Sequence, residues 1–134
     1  MNILLLIANG LTILAFGIHA YVGDQEVQMI QPDSDPENNY QKQEKWTMTR
    51  CGWHWVSFDL LFISIGLTLI NFTDFISEQR LILQIMSVYL LGNGVFWFVT
   101  ILISRKFPKN FLKLGQWMLL LLLALLTHLG SMDF

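Results

Sequence analysis

A chain of 134 residues with 54% hydrophobic and only 13% charged side chains carries roughly half the charge of an ordinary soluble domain. Its charges cluster between long apolar blocks, which excludes a soluble bundle with a polar stripe along every helix. A net charge of −2, without the massed Lys and Arg of a phosphate-binding surface, excludes nucleic acid as a partner, and one cysteine, Cys51, excludes an intrachain disulfide.

Four apolar blocks follow one another along the chain, at 3–22, 52–72, 81–104 and 111–129. Each is about 20 residues long, enough for a helix rising ~1.5 Å per residue to cross a ~30 Å hydrocarbon core. The first block has no basic segment before it and a poor cleavage pattern after it, so it reads as a retained anchor rather than a signal peptide. The expected fold is all-α: a polytopic membrane protein forming a single four-helix transmembrane bundle over 1–134. Helices 1 and 2 extend into a cytoplasmic helical hairpin at 23–51.

The hairpin is read from its turn. Pro32 ends one helix; Asp35 stands as N-cap, Pro36 at the first helical position and Glu37 in the first turn of the next. Helix 1 is therefore expected to run to about Ile30, and helix 2 from about Pro36 through Phe72. Trp46, Trp53 and Trp55, with Tyr21, are placed as an aromatic belt at the membrane interface. A turn centred near Ser34 pairs residues whose numbers sum to roughly 68, putting Glu26 opposite Lys42, Asp24 opposite Lys45 and His19 level with Arg50. Exposed ion pairs of this kind contribute only about 0.2–1 kcal/mol.

Basic residues set the orientation. Lys42, Lys45 and Arg50 fall in the first connection and Arg105, Lys106, Lys109 and Lys113 in the third, whereas the second holds Arg80 alone. The positive-inside rule places the first and third connections in the cytoplasm and both termini outside, in a cell membrane of the bacterial inner-membrane type.

The hairpin register sets Asp59 level with Asn9. Counted from Arg50, Asp59 lies about 13 Å deep, and Asn93, counted from Arg105, about 18 Å deep, so the three polar groups are expected near the midplane. Burying an ionisable group there costs upward of about 2.5 kcal/mol, so Asp59 should face other helices and be neutral or partnered. It is either a proton- or ion-handling carboxylate or interhelical glue bonded to Asn9 or Asn93. His19, Glu26, Arg50 and His54 make a candidate network at the cytoplasmic mouth. His19 and His54 are also candidate ligands for haem or a metal ion, although the register sets His54 about 7 Å deeper than His19. His128, near the outer end of helix 4, reads as an interface residue.

The pattern His19-x3-Gly23-Asp24 with Pro32, then Trp53-His54 with Ser57, resembles that of small, functionally uncharacterised four-helix bacterial membrane proteins, a resemblance that implies no activity. Three functions stay open. One is an oligomeric proton- or ion-handling module built on Asp59, Asn9 and Asn93; the second is a non-enzymatic assembly protein recruiting a partner through the hairpin; the third is a haem or metal protein. Lipids and further copies of the chain are the expected partners.

Overall fold

The computed structural model describes residues 1–33, 36–104 and 111–134, and the backbone alone at 36–39. Every regular element among them is helical: α1 (Ile3–Gly17), a π-helical turn (Ile18–Gly23), α2 (Asp24–Met29), α3 (Pro36–Phe72), α4 (Gln79–Ile103), α5 (Gln116–Gly130) and a closing 3-10 turn (Ser131–Asp133). α1, the π turn and α2 form one unbroken helical rod. With α3, α4 and α5 this gives four helices long and apolar enough to cross a membrane.

Two boundaries match the reading of the sequence. The first rod ends at Met29, and α3 starts at Pro36 and continues without a break to Phe72. Proline's fixed φ suits the first helical position, and no further proline interrupts the helix. Asp35, the expected N-cap, lies outside the described residues, as does the side chain of Glu37. The fourth helix begins later than expected, at Gln116 rather than Phe111. Gly115 stands as its N-cap residue, and residues 111–115 turn instead, with Trp117 Nε1 donating back to the Phe111 carbonyl at 3.0 Å and Phe98 packed against both rings.

The chain divides into two compact units, one of residues 1–11 with 66–134, the other of 12–65. In the first unit, α4 and α5 pack side by side. α4 buries Leu83, Ser87, Leu90, Gly94 and Ile101 at the three-and-four spacing of a helix seam, and α5 buries Leu123, Ala124, Thr127 and Gly130. Gly94 gives Leu121 room to seat against the α4 backbone, and the Ser87 hydroxyl donates to the Ala124 carbonyl at 2.8 Å. Small residues at such a seam let the two backbones approach closely.

The same unit is tied at one end by Asn2. Its Oδ1 accepts from the N–H groups of Leu4 and Leu5, capping α1, and its Nδ2 donates to the Gly130 carbonyl and Asp133 Oδ2. Its own N–H donates to Asn71 Oδ1 at the end of α3. Three helix ends thus share one amide residue.

Candidate functional site

The second unit, 12–65, contains the polar cluster of the molecule's helix pair. On α3, Trp46, Arg50, Trp53, His54 and Ser57 recur at three- and four-residue steps, so all point from one face. The opposing rod presents His19 and Asp24. Five residues apart, these would lie about 140° from each other around an α-helix. The π-helical turn at Ile18–Gly23 closes its hydrogen bonds one residue later and brings them onto the same side.

Several bonds fix this arrangement. The indole of Trp53 stacks on the His19 ring, with centroids 4.1 Å apart and planes 8° from parallel, while Trp53 Nε1 donates to the His19 carbonyl at 2.9 Å. Gly23 is packed so tightly that a Cβ there would overlap the six-membered ring of Trp53. His19 Nδ1 lies 3.0 Å from Ser57 Oγ. One turn further along the stem, Arg50 grips Asp24 with two bonds of 2.8 and 2.9 Å, and His54 Nε2 stands 3.2 Å from Asp24 Oδ1. Gln28 donates to the other oxygen of Asp24 at 2.6 Å. Trp46 closes the stem: its Nε1 donates to the Val27 carbonyl, and its ring lies 5.6 Å from the Arg50 guanidinium carbon.

These contacts correct the expected register. Asp24 meets Arg50 rather than Lys45, a slip of about five residues and roughly 7.5 Å. Glu26 is exposed and makes no ion pair among the described residues, with Lys42, Lys45 or any other base. The expected pairing takes equal helical rise on both sides of the turn, and residues 31–33 are not helical, so it does not hold. Gln43 donates to the Asp33 carbonyl. His19 stacks on Trp53, the residue before His54, so the two histidines come to similar levels instead of about 7 Å apart.

The candidate residues thus separate. His19, Arg50 and His54 gather, with Asp24 in the place expected of Glu26. Asn9, buried in the other unit, donates to Thr68 Oγ1 at 2.7 Å. Asn93 lies on the surface of α4 and bonds the Tyr89 carbonyl of its own helix, so Asn9 and Asn93 do not meet. Asp59 is half-buried on α3, two residues beyond Ser57, and is engaged rather than free. His128 is exposed. The aromatic belt also divides: Tyr21 and Trp55 are exposed, whereas Trp46 and Trp53 spend their indole N–H groups on carbonyls of the opposing rod. Among the described residues no three His, Cys, Asp or Glu side chains are grouped to hold a metal ion. The imidazoles of His19 and His54 are committed to Ser57 and Asp24.

Asp24, Trp53 and Ser57 were not singled out as site residues by chemistry, yet the signal was present. They belong to the His19-x3-Gly23-Asp24 and Trp53-His54 pattern, whose members turn out to be mutual contacts. No protein-family model, curated protein or solved structure matches the chain. Fold and site define an all-helical chain with four potential membrane spans and a polar cluster clamped between the first two.

The clamp has a pH signature. The Arg50 guanidinium hydrogen-bonded to Asp24 holds its carboxyl below the usual carboxylate range. A depressed folded-state pKa contributes stability that is fully present above the ordinary carboxylate pKa and is lost as pH falls through the folded value. Thermal unfolding in detergent should therefore show a loss of stability below about pH 4 that Asp24→Asn diminishes. An unchanged acid limb in the Asn variant would assign that loss to other carboxylates.

Proposed function

We propose that the chain is a small polytopic membrane protein that handles protons along its first two membrane helices. The observation that carries this reading is the bond between His19 and Ser57, a titratable ring and a relaying hydroxyl set among apolar turns. Imidazole exchanges protons near neutral pH, and a hydroxyl both donates and accepts. His54, half exposed and bonded to Asp24, is the aqueous entry; Asp59, beyond Ser57, is the next acceptor inward. Arg50 and Trp46 hold the mouth closed around Asp24. Asn93 has no part in this path. In a hydrocarbon core an ionisable residue has a cost that only a partner or a function offsets.

The test is proton flux in liposomes containing the purified chain. Wild type should dissipate an imposed pH gradient, and His19→Phe, which keeps an aromatic ring against Trp53 but cannot carry a proton, should reduce the flux at least tenfold. A folded wild-type chain with no flux would dismiss the proposal. A second reading, recruitment of another protein by the stem, is favoured by the exposed Met29, Tyr40 and Met48. It predicts no flux and a bound partner lost on charging those positions.

The proposed orientation sets the stem in the cytoplasm and both termini outside. With Cys51 replaced by Ser, a cysteine at position 40 should resist impermeant reagents added to intact cells, while one at position 134 should react. Labelling of position 40 from outside would invert the topology.

A further inference from the structure

One face of α4 is occupied by its seam with α5; beside that seam the helix carries an exposed polar group that the fold leaves incompletely bonded. Asn93 sits near the middle of α4 and is exposed. One N–H of its amide donates to the Tyr89 carbonyl at 2.9 Å, and among the described residues its Oδ1 and second N–H have no partner. Beside it, a Cβ on Gly92 would meet nothing within 4 Å. Tyr89 and Phe96, one turn to either side and both exposed, wall this opening, making a notch with an amide on its rim. Thr100, two turns on from Asn93 and also exposed, differs in an instructive way. Its hydroxyl hydrogen is satisfied by the Phe96 carbonyl at 2.8 Å, the ordinary way for threonine to rest in lipid. Asparagine, with two N–H groups and a carbonyl, cannot be satisfied by its own helix.

We propose that Gly92 and Asn93 form the contact through which α4 pairs with α4 of a second copy of the chain. This inference rests on the reading that α4 spans a membrane, where lipid offers the free amide no hydrogen bond. The occupant is another copy because a primary amide is self-complementary. Across a twofold axis each Nδ2 donates to the other's Oδ1, so identical surfaces satisfy each other. The Gly92 notch lets the two backbones approach closely enough for these short side chains to meet.

The experiment is energy transfer between differently labelled full-length chains in liposomes, followed as lipid is added, with vesicle flotation after an alkaline wash run on the same samples. Wild type should associate, Asn93→Leu should weaken association about tenfold, Gly92→Ile should weaken it by a similar factor, and Asn93→Gln should restore part of it. With Cys51→Ser, a cysteine replacing Phe96 should cross-link between copies, and one replacing Ser87 in the α4–α5 seam should not. Chains that stay with the vesicles but remain monomeric, or associate unchanged as Asn93→Leu, overturn the pairing alone. Chains stripped from the vesicles overturn both the pairing and the membrane reading beneath it.

Discussion

Replacing Gly23 by alanine is expected to destabilise the first two helices by about 1–3 kcal/mol, the range for forcing a methyl group into a filled site. Helix propensity alone predicts the opposite sign. Gly23 has ordinary right-handed helical dihedrals, φ −67° and ψ −34°, where alanine is better than glycine by about 1 kcal/mol. What reverses the sign is the neighbour. The added Cβ would overlap the Trp53 ring, a rigid plane held by its stack on His19 and its bond to the His19 carbonyl, so it cannot yield by a simple rotation. Gly52, on the exposed side of α3, provides the internal comparison: its Cβ would meet nothing within 4 Å. Gly23→Ala should therefore lower the unfolding midpoint in detergent well below that of Gly52→Ala, and should shift the Trp53 indole resonance. Equal effects at the two sites would mean that the Trp53 ring moves aside freely. Proton flux should fall with Gly23→Ala as well, because the ring that yields is the one positioning His19.

The helices were legible because their causes are local. Long apolar runs and Pro36 at a first helical position are properties of a few adjacent residues; the start of α5 at Gln116, after Gly115, was missed because the apolar run begins at Phe111. The hairpin register was not local. It depends on the path of the connection between two helices, which no pattern of adjacent residues sets. Arg50 was consequently assigned to the level of His19, although its guanidinium closes on Asp24.

The π-helical turn was hidden for a different reason. Nothing in Ile18–Gly23 marks a π turn rather than an ordinary α-helix. The wider turn is matched to a partner on α3, since the His19 carbonyl receives Trp53 Nε1 and the side-chain-free Gly23 receives its ring. Only with both helices in place does the spacing of His19 and Asp24 become a shared face. Depth was similarly insufficient for Asn93: counting along a helix gives height, but the side to which a residue points depends on which neighbour the helix has chosen. α4 gave its Ser87–Gly94 seam to α5 and left Asn93 outside.

Replacement of Asn2 by alanine should produce the other large loss, about 2–4 kcal/mol, in the unit built from 1–11 and 66–134. Two contributions add. Removing Oδ1 leaves the Leu4 and Leu5 N–H groups of the α1 N-terminus uncapped, which costs roughly 1 kcal/mol. Removing Nδ2 takes the donor from the Gly130 carbonyl at 3.1 Å and from Asp133 Oδ2 at 2.7 Å; Asn2 is 8% exposed, so little water can replace it, and a buried group left unsatisfied costs about 1–3 kcal/mol. The main-chain bond from Asn2 to Asn71 is kept in the alanine variant and is not part of the loss. Two further variants separate the contributions. Asn2→Ser keeps a capping oxygen but cannot reach both acceptors, so it should recover the first contribution alone. Asn2→Asp keeps the cap and places a second carboxylate against Asp133, so its deficit at neutral pH should exceed that of Ser and shrink as the solution is acidified. Amide exchange at Leu4 and Leu5, compared with exchange in the last turn of α5, reads the two ends separately. If alanine at position 2 left both regions as protected as in wild type, the three helix ends would not be held together by this amide.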